Sequence, residues 1–462
     1  MLSSRVIKSY DPNGCDQYLV YFESDIAKLR LCGRFFSYLA PIVNGVIMLV
    51  NMRAFFLLVF LTVSHHFVFG QLEKKAHVIL VSFDGFRFDY SDRFSTPHFK
   101  KMENTGTRAA GLIPTYPSKT FPNHYSIVTG LYPGNHGLVD NSFYDPERRT
   151  FYKMSDREMV EDEYYYGGKP IWRLAKDHGL RTAAFFWVGS EVTRPEQRPD
   201  YMYEYDESVA DTARINQVIR WLQLPEESRP RLITVYFSSP DHEGHDYGPH
   251  SLENKQAVIR SDSLLGALMD QLKAVDLNVN VVVVSDHGMS ELKRNQDTYI
   301  FLPEIIAPGS PGIHVSNSGT QAHLYLDDPH ETDSLYRALK KVAKKFVVYK
   351  PAEFPERWHY RHPRSGDLLI VARPGYYIVD QERKKYLKSI QAGSTFGTHG
   401  YDPADEPDMM GIFFASGPNI AAGKTIPVFL NIHIYPLLAR LLGLPLPKID
   451  GDPKVLESII IR

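Results

Sequence analysis

Residues 78–85 read VILVSFDG, a short apolar run that ends in an acid and a glycine. Two later stretches repeat this arrangement: residues 232–241 read LITVYFSSPD and residues 281–288 read VVVVSDHG. Such runs are typical of strands buried on both faces of a parallel sheet. Because the carboxyl ends of parallel strands open into one crevice, we expect Asp84, Asp241 and Asp286 to lie close together.

Other parts of the chain extend this pattern. Apolar runs predict buried strands at 77–83, 181–187, 232–237, 279–285, 367–372 and 411–415. Residues 251–275 space their leucines as a helix does. The alternation predicts an α/β fold, with a central, mostly parallel sheet flanked by helices on both faces. We expect the Pro- and Gly-containing stretches 303–319 and 351–364 to be excursions that form a small cap.

Composition excludes several classes of protein. The 462 residues, 43% hydrophobic and 23% charged, are typical of a globular chain. A formal charge of −2 without long blocks of one sign gives no support for binding a nucleic-acid scaffold, so we expect a small-molecule partner. Both cysteines, Cys15 and Cys32, precede the strongest apolar run, which excludes a Cys nucleophile or a Cys zinc site in the rest of the chain.

Histidines accompany the acids at the strand ends. His287 follows Asp286, and Asp241 and His245 are four positions apart, one helical turn, so both can point to one ion. His399 lies in a third, Gly-containing stretch. Three unpaired carboxylates in one crevice would repel each other unless a cation neutralised them. Oxygen and imidazole donors without a thiol favour zinc over manganese or iron. The alternative is that each Asp only caps a following helix or turn.

A candidate nucleophile lies in residues 116–130, which read YPSKTFPNHYSIVTG and predict a loop that runs into a short helix. Pro122 suits an early helical position, which places Thr120 at or next to the helix start, where an anion such as phosphate is attracted. Coordination to a metal would make the hydroxyl of Thr120 a competent nucleophile. The alternative is that Thr120 is merely an N-cap.

Four motifs together carry a family resemblance: residues 81–87 (VSFDGFR), 119–125 (KTFPNHY), 285–289 (SDHGM) and 398–402 (THGYD). Through them residues 76–443 resemble the ectonucleotide pyrophosphatase/phosphodiesterase family of the alkaline phosphatase superfamily, as a short, catalytic-domain-only member. The resemblance implies an alkaline-phosphatase-like fold and two zinc ions as cofactors. By position, one zinc would be held by Asp84, Thr120, Asp286 and His287, and the other by Asp241, His245 and His399.

The resemblance also implies a reaction. It is the hydrolysis of phosphodiester or pyrophosphate bonds of extracellular nucleotides through a nucleotidylated Thr120, with Asn141 donating to a non-bridging phosphate oxygen. Taken alone, Asn141 would be an ordinary turn residue. Further substrate contacts are expected from Phe121, Trp187, Tyr205 and Tyr236. The sequence departs from nucleotide-cleaving members at Val188 and Glu191, where these tend to carry Pro and Asp.

Two other functions stay open on the same fold. One is a choline-phospholipid phosphodiesterase, and the other is a catalytically silent extracellular binding protein. All seven metal-ligand positions, the threonine among them, are present, which argues against a silent protein.

The N-terminal part of the chain predicts where the protein is located. Residues 52–70 combine a short basic start, an apolar core and a small residue, as a secretory signal peptide does. We therefore expect residues 1–51 to be an upstream extension without structure and residues 71–462 to be a single phosphodiesterase catalytic domain, either secreted or on the extracellular face. Alternatively, residues 35–50 join this core as a signal anchor of a type II membrane protein, and membrane contact arises only if the segment is retained.

Overall fold

The structure is a computed structural model that describes residues 76–461 and, before them, the backbone of three strands. The chain divides into two units, Met1–Glu73 and Lys74–Arg462. In the first unit, the strands Arg5–Tyr10, Asp16–Phe22 and Asp25–Leu29 form an antiparallel sheet. The extension expected to lack structure therefore contains strands. The signal peptide predicted over residues 52–70 lies outside the described residues.

An eight-stranded sheet organises the second unit. Its strands are, in chain order, β1 His77–Phe83, β2 Thr107–Ala109, β3 Thr182–Phe185, β4 Tyr201–Tyr203, β5 Leu232–Phe237, β6 Val279–Val284, β7 Phe413–Ser416 and β8 Lys424–Ile426. They follow the order β4-β3-β5-β1-β6-β7-β2-β8, and β7 alone runs antiparallel to its neighbours. The predicted mostly parallel sheet is confirmed.

The three strands that precede the acids are neighbours at the middle of this sheet. β1 pairs with β5 on one side and with β6 on the other, both in parallel. In these pairs Phe83 lies opposite Phe237, and Ser82 lies opposite Val284. The three strands therefore end at nearly the same level, which brings the residues that follow them to one edge of the sheet.

Helices cover both faces, as predicted. Alternate residues of β1 belong to different cores, since Val78 and Leu80 pack into one cluster and Ile79 and Val81 into the other. The first core includes the helices Thr120–Thr129, Ile171–Asp177 and Ile434–Leu442; the second includes Pro97–Thr105, Asp211–Leu222 and Leu252–Leu272. The last of these is the helix predicted over residues 251–275. Its Leu252, expected on the apolar face, is 61% exposed because it lies at the very start of the first turn.

A second, smaller sheet forms the cap. It is antiparallel throughout and consists, in spatial order, of Ile313–Asn317, Gln321–Leu326, Leu368–Ala372 and Phe346–Tyr349. The helix Thr332–Val342 is inserted between two of its strands in sequence. The run at 367–372 is thus a buried strand, as predicted, and it belongs to the cap sheet. Of the two predicted excursions, 303–319 supplies a cap strand and 351–364 forms 3-10 turns.

Shorter elements complete the unit. Further helices are Tyr90–Arg93, Pro133–His136, Arg157–Glu161, Asp241–Tyr247 and Arg383–Ser389. Two-stranded pairs are Leu112–Ile113 with Phe429–Leu430, Ser142–Asp145 with Thr150–Lys153, Ser290–Lys293 with Thr395–Thr398, and Tyr299–Phe301 with Tyr377–Val379. Within the described part of the chain, none of the helices combines the length and apolar character needed to cross a bilayer.

Candidate active site and metal centre

The acids at the strand ends converge. Asp84 and Asp286 follow β1 and β6, and Asp241 is the first residue of the short helix after β5. Ligand atoms of Asp84, Asp286 and His287 lie within 4.8 Å of one another, and so do those of Asp241, His287 and His399. His287 is common to both groups, so the structure brings the two predicted sets of ligands together into one cluster.

Two carboxylates of the cluster each have one oxygen in a hydrogen bond and one without. Tyr236 Oη donates to Asp84 Oδ2 at 2.7 Å, and the Gly85 N–H donates to Asp286 Oδ1 at 3.2 Å. Asp84 Oδ1 and Asp286 Oδ2 are buried and accept no hydrogen bond from the described residues. His287 Nε2 lies 3.4 Å from the first of these oxygens and 3.0 Å from the second.

Electrostatics at these carboxylates call for a cation. Burial, followed by repulsion from Asp286 and Asp241, raises the pKa of Asp84 well above its usual range. Burial and repulsion from Asp241 do the same to the pKa of Asp286. A cation among these oxygens would reverse both effects, because it favours the charged form of a carboxyl group.

The histidines of the cluster are oriented alike. The Nδ1 atoms of His245, His287 and His399 lie 2.8–2.9 Å from the backbone carbonyls of Gly397, Gly288 and Ser118, respectively. A carbonyl only accepts, so each Nδ1 carries the proton, and in the neutral ring Nε2 offers a lone pair. This is the usual arrangement of histidines that bind metals.

The Nε2 atoms face the remaining acid. His245 Nε2 lies 3.5 Å from Asp241 Oδ2, and His399 Nε2 lies 3.8 Å from Asp241 Oδ1. The two Nε2 atoms are 3.1 Å apart, so two lone pairs point at each other. Asp241 Oδ1 is a third buried oxygen without a donor in the described part. Carboxylate oxygens and imidazole nitrogens that face one another without a hydrogen-bond donor between them fit a divalent metal such as zinc.

Thr120 lies beside this cluster. It is the first residue of the helix Thr120–Thr129, whose N-cap is Lys119, and no side chain caps this helix. The structure therefore does not support the alternative in which Thr120 is only an N-cap. Thr120 Oγ1 lies 3.3 Å from His287 Nε2, next to the candidate ligands. Asn141 approaches the same helix start, where its Oδ1 accepts the N–H of Phe121 at 2.8 Å.

The predicted substrate residues divide into two groups. Tyr236 contacts Asp84, and the ring of Tyr205 lies 6.2 Å from the ring of Tyr236 and is 40% exposed. Phe121 is half-buried at the helix start. Trp187, in contrast, is fully buried, and its indole N–H donates to the backbone carbonyl of His124 at 3.1 Å. The structure thus places Trp187 behind the site, where it supports the helix.

His124 is a part of the site that the sequence reasoning missed. Its Nδ1 lies 3.0 Å from the Thr120 carbonyl and 3.4 Å from Asp286 Oδ2, and its Nε2 lies 2.8 Å from Ser82 Oγ. Burial lowers the pKa of His124 to about 3, so the ring is neutral. His124 therefore connects the start of the helix to β1 and to the candidate ligand Asp286. The spacing of four residues from Thr120 was a signal that could have revealed it.

A cleft of about 510 Å³ adjoins the site on the side of the cap; its walls include Lys119, Asn141, Lys153, Ser318, Tyr377 and Asp380. Lys119 is buried and donates to the Ser318 carbonyl at 2.8 Å, and burial lowers its pKa to about 8. Among the described residues, neither Lys119 nor Lys153 has a carboxylate within 4.0 Å. Asp380, an acid in the same walls, accepts the side-chain N–H of Asn317 at 2.7 Å, so the two lysines are the charged groups of the cleft that can attract a ligand of negative charge.

Known proteins are similar to this chain over most of its length. The family model for type I phosphodiesterase / nucleotide pyrophosphatase matches residues 78–402. A venom phosphodiesterase of Crotalus durissus collilineatus is 33% identical, over 84% of this chain and 47% of its own length. Human ectonucleotide pyrophosphatase/phosphodiesterase family member 1 is 34% identical, over 80% of this chain and 40% of its own. The chain thus spans about half the length of these curated relatives.

Shorter relatives match over most of their length. The bis(5′-adenosyl)-triphosphatase of Xenopus laevis is 34% identical, over 81% of this chain and 78% of its own. A solved structure of murine ectonucleotide pyrophosphatase/phosphodiesterase 5, an inactive variant in complex with AMP, superposes with a TM-score of 0.76 and is 30% identical. That match covers 84% of this chain and all of the other. The chain therefore belongs to the type I phosphodiesterase/nucleotide pyrophosphatase family, as its four motifs predicted.

Proposed function

We propose that this chain is a hydrolase that cleaves phosphodiester or pyrophosphate bonds of extracellular nucleotides, with Thr120 as its nucleophile and two zinc ions as cofactors. The observation that carries the proposal is the cluster, beside the Thr120 hydroxyl, of three buried carboxylate oxygens without donors and the three imidazole Nε2 atoms that face these carboxylates. A purely structural cluster of this composition would leave several polar atoms unsatisfied.

The ligands divide between the two ions as the resemblance implies. One zinc would be held by Asp84, Thr120, Asp286 and His287, and the other by Asp241, His245 and His399. When bound, zinc acts as a Lewis acid and makes hydroxyl groups and water acidic enough to serve as nucleophiles near neutral pH. The backbone bonds of the three histidines and of Asp286 hold these side chains in place for that purpose.

The chain's own residues then carry out two displacements. The Thr120 hydroxyl group loses its proton to solvent and its oxygen forms a bond to phosphorus, while the bond from phosphorus to the leaving oxygen breaks and that oxygen departs as an anion or takes up a proton from solvent. Asn141, whose Oδ1 is engaged by the Phe121 N–H, offers its Nδ2 to a non-bridging oxygen and stabilises the charge that develops there. In the second displacement a water oxygen bonds to phosphorus and the Thr120–phosphorus bond breaks, which releases the nucleoside phosphate and restores the hydroxyl group.

The residues on either side of Thr120 indicate which substrates the site prefers. Phe121, Tyr205 and Tyr236 offer aromatic faces on which a base and a sugar can stack. On the other side, Lys119 and Lys153 favour a leaving group that carries phosphates and disfavour a choline cation. Among relatives, the murine structure contains AMP and the Xenopus protein is named bis(5′-adenosyl)-triphosphatase. We therefore favour nucleotides over choline phospholipids.

We also propose that the protein is extracellular, either secreted or anchored as a type II membrane protein. This location is supported by relatives that are named as venom and ectonucleotide proteins.

The test compares wild type with Thr120→Ala on diadenosine triphosphate, with metal analysis of both proteins. We expect the variant to lose turnover but to keep most of its zinc, since six of the seven ligands remain. Thr120→Ser is the matched control, which keeps a hydroxyl group and should retain part of the activity. Normal turnover by Thr120→Ala would contradict the assignment of Thr120 as the nucleophile. Faster hydrolysis of lysophosphatidylcholine than of the dinucleotide by wild type would favour the lipid alternative, and inactivity of the zinc-loaded protein on both would favour a silent binding protein.

A further inference from the structure

A buried carboxylate connects the cap sheet to the active site. Asp140 Oδ1 accepts the backbone N–H of Asn141 at 2.7 Å. Its Oδ2 accepts Gln321 Nε2 at 2.6 Å and lies 3.0 Å from His323 Nε2. Gln321 and His323 belong to the cap strand Gln321–Leu326, where alternate residues share a face. Asp140 therefore links this strand to the backbone of the residue that is proposed to bind phosphate.

His323 bridges two acceptors. Its Nδ1 lies 3.1 Å from the Ser365 carbonyl, and its Nε2 faces Asp140 Oδ2. Burial by itself would raise the pKa of Asp140, but the hydrogen bond and charge of His323, with Lys119 and Gln321, hold it below its usual range. Asp140 and His323 are both fully buried. Direct contacts on both oxygens therefore hold the carboxylate of Asp140 in place.

The segment 139–141 is held at three consecutive residues. Tyr360 Oη donates to the carbonyl of Val139 at 2.8 Å, Asp140 is held by the cap strand, and Asn141 Oδ1 accepts the Phe121 N–H. This last bond fixes which end of the Asn141 amide faces the helix. A donor that stabilises a transition state must be placed within about 0.5 Å, and such placement requires neighbours that are themselves held rigidly.

We propose that His323 is a positioning residue for this reaction: acting through Asp140, it holds the Asn141 amide beside Thr120, so that the cap sheet sets the phosphate-binding donor. The inference rests on the proposed function, since it assigns a role relative to Thr120 and Asn141. It predicts that loss of the Asp140–His323 bond affects the transition state more than substrate binding.

Two substitutions separate the bonds of His323. His323→Asn places an amide near the position of Nδ1, which keeps the bond to the Ser365 carbonyl and loses the one to Asp140. His323→Gln reaches the position of Nε2 and keeps the bond to Asp140. With diadenosine triphosphate we expect His323→Asn to lower kcat about 10- to 100-fold with KM changed less than about threefold, and His323→Gln to restore most of the loss.

A double-mutant cycle tests whether His323 acts through Asn141. In an Asn141→Ala background, His323→Asn should lower kcat less than about twofold further, because the donor that it positions is already absent. An equal loss of kcat in both backgrounds would overturn the proposal. A kcat of His323→Gln no higher than that of His323→Asn would overturn it as well. The stability control is His77→Gln, at the opposite end of β1, where a buried imidazole bonds the Pro230 carbonyl. It should lower the melting temperature and leave kcat unchanged.

A second variant guards against misfolding. If His323→Asn does not fold, Gln321→Met removes the other donor to Asp140 Oδ2, and the same cycle with Asn141→Ala decides by the same criterion. Thr120→Ala separates the two hypotheses: retained turnover refutes the proposed function, whereas an inactive Thr120→Ala together with additive effects of His323 and Asn141 refutes the positioning role alone.

Discussion

Replacing Asp286 by Asn should stabilise the metal-free protein and destabilise the zinc-loaded one. Ligand oxygens of Asp84 and Asp286 lie within 4.8 Å of each other. At an effective dielectric constant of about 20, two full charges at that distance repel by about 3 kcal/mol. Protonation of one carboxyl group limits this cost, so we expect a gain of about 2–3 kcal/mol at neutral pH. Asn keeps the shape of the side chain and an acceptor for the Gly85 N–H.

The assay is thermal unfolding with a metal chelator and with excess zinc. A unit of this size gains about 1 °C per kcal/mol, so the metal-free variant should melt about 2–3 °C above the wild type. With zinc the order should reverse, because the wild type gains more from a bound ligand. The pKa of Asp286 is raised in the folded state, so the repulsion is absent at low pH and appears as pH rises. The difference between the metal-free proteins should therefore shrink toward pH 4.

Asp262→Asn is the matched control. Asp262 is as buried as Asp286, and burial raises its pKa as well, but its Oδ1 accepts two backbone N–H groups, from His98 and Phe99, and it is not a candidate ligand. Its replacement should therefore shift the melting temperature by the same amount with and without zinc. A lower melting temperature for metal-free Asp286→Asn would refute the reasoning, since it would mean that the carboxylate is stabilising without a metal.

Three further predictions concern other parts of the molecule. Asn141→Ala should lower kcat about 100- to 1,000-fold with little change in KM, as measured by steady-state hydrolysis of diadenosine triphosphate; a change in KM alone would contradict its proposed role. Lys153→Glu should raise KM for that substrate about three- to tenfold, whereas Lys454→Glu, an exposed lysine outside the cleft, should not. His136 is buried with both ring nitrogens in hydrogen bonds, and burial lowers its pKa to about 3 from 6.5. The unfolded chain therefore takes up a proton below pH 6.5 while the folded one does not, and stability present above pH 6.5 is lost as pH falls, by about 1.4 kcal/mol per unit. Urea unfolding at pH 7 and pH 5 should show this loss, and His136→Gln should reduce it by about 2 kcal/mol; an unchanged difference would show that His136 is not its source.

The sequence was most informative where the relevant contacts are local. A strand and the acid that follows it are adjacent in the chain, so the convergence of Asp84, Asp241 and Asp286 could be predicted from three short runs and the rule for parallel sheets. The sheet to which the predicted strand at 367–372 belongs could not be identified in this way. An apolar run does not encode its partners, and here these are Gln321–Leu326 and Phe346–Tyr349 of the cap.

Residues around the reacting groups were harder to identify for a related reason. His124 was close enough in the chain to Thr120 to be found by helical spacing. His323 reaches the site through a contact with a residue far away in sequence, and a lone His carries no signal of its burial. Lys119 directly precedes Thr120, but its burial depends on a distant contact, with the Ser318 carbonyl. Trp187 was expected among the substrate contacts, yet it supports the helix from behind, because an aromatic residue in a motif can serve packing as well as binding.

The order of the candidate ligands along the chain has a consequence for biogenesis. The first acid of the cluster is residue 84 and the final histidine is residue 399, and the antiparallel strand β7, which borders β6, comes only at Phe413–Ser416. A nascent chain that is still being synthesised therefore cannot assemble the complete centre until almost all of this unit has emerged. A metal ion could therefore meet its complete set of ligands only late in the synthesis of this unit.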